Sequence, residues 1–175
     1  TNTAVGDNAL AKNTTASNNA ALGYRALEEN TTGHSNTALG TEALRENTTA
    51  NNNTGVGYNA LFANTTGYQN TAFGSKALDS NTTASVNTAV GYEALQTCTT
   101  GSSNTCIGEA ALSGLLNGGN NSAIGRSAGA DLTTGGNNLC LGQSSGRASA
   151  PSGAITTGSN NVCLGNNDIA NLFCA

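Results

Sequence analysis

Few residues in this chain have side chains suited to chemistry, and their spacing decides what they could do. His34 is the single histidine among 175 residues. It stands in a variable turn position, and general acid–base work needs an imidazole oriented by a partner. The carboxylates are spread along the chain at regular intervals rather than paired, so they read as solvated surface groups and not as an acid/base couple. Three of the five cysteines, Cys106, Cys140 and Cys163, replace alanine at equivalent positions of a repeated phrase. They fit buried thiols acting as small apolar residues. A disulfide, between protomers or involving Cys98 or Cys174, stays open. Zinc is not expected, because the spacings lack C-x-x-C pairs. No phosphate-cradling glycine loop followed by lysine occurs, and no cofactor is implied.

Two further sets recur. Asn13, Asn30, Asn47, Asn64 and Asn81 each open an Asn-Thr-Thr sequence. As sequons they could accept glycans. In one repeated position they are better read as side chains that hydrogen-bond from copy to copy. Tyr24, Tyr58 and Tyr92 form a spaced aromatic row, suited either to turn packing or to stacking on sugar rings of a host surface.

What must position these residues is the repeat. A phrase of the type Asn-Thr-Ala-aliphatic-Gly begins at Asn2, Asn19, Asn36, Asn53, Asn70, Asn87, Asn104, Asn121 and Asn138, 17 residues apart, and again at Asn161 after a six-residue insertion. Numbered from each Asn, slot 5 is glycine in every copy: Gly6, Gly23, Gly40, Gly57, Gly74, Gly91, Gly108, Gly125, Gly142 and Gly165. That register demands a backbone with positive φ or the close approach of another strand. A second period of two phrases is superposed: slot 15 alternates Ala16, Gly33, Ala50, Gly67, Ala84, Gly101, and slot 6 carries tyrosine in alternate copies. The phrase is regular over 1–113 and degenerate over 114–175, where an insertion near 146–153 precedes an irregular terminal cap or junction. Residue 1 falls inside a repeat, so a piece of a longer chain is expected.

Thr-Ala-aliphatic-Gly reads as a short strand, and such strands stacked in parallel make a β-rich solenoid. Charges fall almost wholly in slots 6, 7, 10 and 11, around an Ala-Leu pair in slots 8 and 9. This polar-polar-apolar-apolar-polar-polar order predicts a short helical turn, ended at slot 12 by a left-handed Asn. Slot 4 is expected to face the core. Slot 3, always small and uncharged, then points the other way, against a second layer or protomer.

Only 9% of residues are charged, against about 25% in ordinary domains, and the net charge is −4. Six basic residues cannot form a phosphate-binding surface, so nucleic acid is not an expected partner. No apolar run approaches the length of a membrane helix, and membrane insertion is not expected.

The phrases "NTAVGYEAL", "NTTG" and "NTAFGSKAL" resemble repeats of bacteriophage tail fibres and related virion appendages. More distantly, the NTAVG core is similar to head repeats of trimeric autotransporter adhesins. The resemblance implies a homotrimeric, extracellular or virion-surface fibre that attaches to a host glycan or protein. Two other readings fit the residues: a self-assembling extracellular filament or adhesin outside any virion, and an ice-binding solenoid whose Thr-Thr pairs present a hydroxyl array. None of these is an enzyme.

Overall fold

The computed structural model describes residues 1–148 and 153–166. The chain winds as a parallel β-solenoid with one 17-residue phrase per coil. Its strands are three residues long: β1 (Thr3–Val5), β2 (Ala20–Leu22), β3 (Thr37–Leu39), β4 (Thr54–Val56), β5 (Thr71–Phe73), β6 (Thr88–Val90), β7 (Thr105–Ile107), β8 (Ser122–Ile124), β9 (Leu139–Leu141) and β10 (Val162–Leu164). They form one sheet in sequence order, each pairing in register with the same slots of the next, as in Ala38 opposite Gly55. So short a strand could not hold alone. Stacking gives every side of the coil its own axial hydrogen bonds, which is what a buried backbone requires.

The inward residues are slots 3, 8, 9, 12 and 15, together with the Asn of slot 1. Ala38, Ala43 and Leu44 are fully buried, as are their equivalents in most coils. The expected assignment of the strand faces is therefore reversed. Slot 3 alanine points into the chain's own core, whereas slot 4 points outward, with Leu22, Phe73 and Ile124 exposed. The reason is volume. Leucine of slot 9 already fills the narrow interior, leaving room for only a small side chain, alanine or cysteine, from the opposite strand. At Gly55 even a built Cβ lies 3.3 Å from the Leu44 side chain.

The helical turn expected over slots 6–11 is absent. Three successive β-turns replace it, closed in the second coil by Ala26 N–H to Gly23 O (3.3 Å), Glu28 N–H to Arg25 O (3.3 Å) and Asn30 N–H to Leu27 O (3.2 Å). Slots 7 and 9 lie in the left-handed region, at φ 55° for Arg25 and 52° for Leu27, as the third residue of a type II turn does. This conformation costs about 1–2 kcal/mol for a residue with a Cβ. It also turns the intervening N–H groups along the stack: Leu27 donates to Ala43 O at 3.1 Å and Arg25 to Asp7 O at 2.9 Å. A helix about 10 Å wide could not repeat at a strand spacing of ~4.8 Å; a flat run of turns can. Slot 12 asparagine does not adopt the left-handed conformation foreseen for it; slot 17 does, as at Ser35 and Asn52.

Slot 5 glycine meets both of its expected demands. Gly57 has φ 130°, and a Cβ there would lie 2.6 Å from the Gly74 carbonyl group of the next coil.

The two-phrase period also has a structural basis. A Cβ on Gly33 would overlap the Ala50 carbonyl oxygen and the Asn30 side chain, so this corner is narrow between a glycine coil and the following alanine coil. Axial bonds record the alternation. The slot 12 amide contact is 2.8 Å from Asn47 to Asn30 and 2.7 Å from Asn81 to Asn64, both at glycine-to-alanine junctions. It lengthens to 3.3 Å from Asn30 to Asn13 and 3.0 Å from Asn64 to Asn47, at alanine-to-glycine junctions. Wide and narrow steps thus alternate along one corner.

Beyond the insertion the stack resumes with partners 23 residues apart: Asn161 N–H donates to Asn138 Oδ1 at 3.0 Å. Part of the insertion, 149–152, and the terminal segment 167–175 with Cys174 and Asp168 lie outside the described residues.

Candidate surface and interior ladders

Two asparagine ladders run through the interior. In slot 12, Asn64 Nδ2 donates to Asn47 Oδ1 (3.0 Å) and to Gly67 O (2.9 Å), and its own Oδ1 accepts from Asn81 (2.7 Å). Asn30, Asn47, Asn64 and Asn81 are fully buried, so their sequons are turned away from any glycosylating enzyme and serve the ladder. The ladder ends where Cys98 takes the slot, and Asn81 Oδ1 is left without a partner. Leu115 and Leu132 then continue the column as apolar core.

The second ladder, in slot 1, was not anticipated. Asn36 Oδ1 accepts from the Asn53 backbone N–H at 2.9 Å, while Asn36 Nδ2 donates to Ala50 O at 2.8 Å. The signal in sequence was the lack of substitution at slot 1. It was legible as a count, but the inward direction of the side chain was not.

The thiols are interior groups. Cys98, Cys106, Cys140 and Cys163 are free and buried. Burial pushes the Cys98 thiol up to about 11 and the Cys106 and Cys140 thiols to about 12. Neutral thiols of this kind are neither nucleophiles nor ready metal ligands.

The remaining reactive side chains lie outside and apart. His34 is exposed in a turn and accepts from Ser17 N–H through Nδ1 at 3.0 Å. Among the described residues no group of three or more His, Cys, Asp or Glu could hold a metal ion. No helix among them is long and apolar enough to cross a membrane. Charges pair along the stack: Arg45 with Glu28 at 2.8 Å, Lys12 with Glu29 at 2.7 Å, Lys76 with Glu93 at 3.9 Å. These surface pairs, half-buried except at Lys12, partly neutralise the charged flanks.

Of the Thr-Thr pairs from Thr31-Thr32 to Thr82-Thr83, the first member is half-buried and the second exposed. Thr31, Thr48 and Thr65 give their hydroxyls to the next coil's backbone, at 3.0, 3.2 and 3.0 Å. The second members, Thr32, Thr49, Thr66 and Thr83, remain exposed as a single row along the stack.

What the surface does present is the outer face of the sheet. Slot 4 supplies Val5, Leu22, Leu39, Phe73, Ile107, Ile124 and Leu164 as exposed residues, with Val56, Val90 and Leu141 half-buried in the same row. Slot 2 adds a parallel row, mostly threonine, and neither row contains a charge in any copy. Tyr24, Tyr58 and Tyr92 border this face, and all three are exposed. Arg25 lies over the Tyr24 ring at 4.9 Å. Glu93 hydrogen-bonds the Tyr92 hydroxyl and raises its pKa.

Compared with protein-family models, curated proteins and solved structures, the chain matches none.

Proposed function

We propose that this chain is a structural fibre segment of a homo-oligomeric surface appendage, with a phage tail fibre serving host attachment as the specific form. One observation carries the structural role. The interior is a continuous axial lattice, in which the backbone and the slot 1 asparagine ladder bond coil to coil from β1 to β10, joined by the slot 12 ladder as far as Asn81. Such a lattice resists bending and local opening, and it uses its polar residues for cohesion rather than for reaction. Ten coils at ~4.8 Å give a rod of roughly 50 Å. The virion assignment rests on the resemblance of the repeated phrases, and attachment rests on the exposed tyrosine row, whose rings are suited to a glycan or protein surface. A self-assembling filament outside a virion would use the same rod.

Immunogold labelling against the chain, in electron micrographs of the particles that carry it, tests the proposal. Label along a thin appendage supports the fibre, and label confined to soluble lysate overturns it. Label on a cell-surface filament without particles transfers the role to the second reading.

A further inference from the structure

We infer that the charge-free outer face of the sheet is the seam along which a second copy of this chain packs, rod beside rod with coils in step. The inference rests on the fibre reading above and adds the surface that builds the oligomer. Three observations support it.

The first is extent. The face runs unbroken over ten strands, from Val5 to Leu164. From the Thr row up to the Tyr row, whose rings stay at the open rim, it is about 13 Å wide, which gives roughly 600 Å² in projection at ~4.8 Å per coil. Over protruding side chains the accessible area exceeds that projection. It approaches the ~800 Å² per partner of a standard interface. Open apolar patches of this size mark interaction sites.

The second is periodicity and charge. A partner that fills every notch between successive slot 4 side chains must repeat at the strand spacing, and another copy of this array does so by construction. Copies approaching face to face bring no like charges together on the seam. Several flanking charges are paired within each chain, as Arg25 is with Glu42 and Lys76 with Glu93, and Asp7, Glu109 and Arg126 stand in the bordering slot 6 row as a polar rim.

The third is strain. Val86, in slot 17 beside the threonine row, is exposed and held at φ 62°, where a β-branched residue is an outlier. Asparagine or serine occupies that slot in most other coils. An exposed valine in this conformation gives nothing to the isolated fold, whereas it widens the apolar seam.

Sedimentation equilibrium of the whole chain tests the seam. The wild type is expected at an integral multiple of the chain mass. In Leu39→Lys/Ile107→Lys the concentration for half-association is expected to rise at least about a hundredfold, since lysine charges would have to be buried between rods. The control Thr49→Lys/Thr83→Lys, on an exposed row elsewhere, is expected to associate as wild type does. All three should show the same circular dichroism spectrum and melting onset, because every substituted side chain points to solvent. If the wild type associates and the seam variant associates equally well, the seam is elsewhere and this inference fails while the fibre reading stands. If the wild type is monomeric at high micromolar concentration, both fail.

Discussion

Gly57 shows at the scale of one residue how tightly the coils are coupled. Its φ of 130° and the 2.6 Å separation of a built Cβ from Gly74 backbone atoms act together. Gly57→Ala is expected to cost about 2–4 kcal/mol, combining a disallowed conformation with backbone overlap. For a chain of this length that lowers Tm by roughly 5–15 °C, read by circular dichroism. Asp79 is a different case. Partial burial raises its pKa above the ordinary 3.8, with Glu93 adding to the effect and Lys76 opposing it. The folded state then holds the proton more tightly than the unfolded one. Stability is therefore greatest below the ordinary value and falls as pH rises through the shifted one. Asp79→Asn is expected to raise Tm at neutral pH and to lose that advantage in acid below 3.8. Equal gains at both pH values would contradict this.

The elements of this fold are columns rather than strands, since each slot forms a line of like residues along the stack. The slot 12 column shows the rule for polar groups: a ladder works as a set. Asn64→Leu would strand Asn47 Oδ1 and one N–H of the Asn81 amide inside the core, at about 1–3 kcal/mol for each unpaired group, while Gly67 O keeps Asn53 Nδ2 and Asn81 keeps Ala84 O. We expect that variant to lose most of the cooperative transition in urea. Leucine at the same slot in Leu115 and Leu132 is harmless because the asparagine column has already ended at Cys98. The outward run of turns obeys a related rule. Left-handed residues at slots 7 and 9 are individually unfavourable, yet each redirects a peptide group into an axial bond, so the cost is recovered only when a neighbouring coil is present.

At the scale of the molecule, stability is a sum of coils and junctions. The alternation at slot 15 makes the junctions inequivalent, which deletion can expose. Removing residues 53–86 takes out two phrases and restores an alanine coil before a glycine coil. Removing 53–69 takes out one and sets Ala50 beside Ala84, creating two wide junctions in succession. The longer deletion is expected to melt cooperatively, with Tm lower only in proportion to length. The shorter deletion should melt below it despite retaining more coils. The reverse order would show that the two-phrase period has no part in packing.

By itself the sequence determined the period, the stacking of short parallel strands, the need for glycine in slot 5, the outward placement of the charged slots and the bonding role of the repeated Asn-Thr-Thr asparagines. Each of these follows from recurrence, since a constraint imposed by an identical neighbour appears at the same slot in every copy. Only the tertiary structure decided that each phrase is one coil of a single chain, and which side of the strand is the inside. Ala-aliphatic alternation names two faces without saying which is buried, and the answer came from the volume of Leu44 and its equivalents across the coil. It likewise decided that Ala-Leu sits in a chain of turns. A helix satisfies its peptide groups within itself, whereas a coil ~4.8 Å from its neighbour satisfies them along the stack.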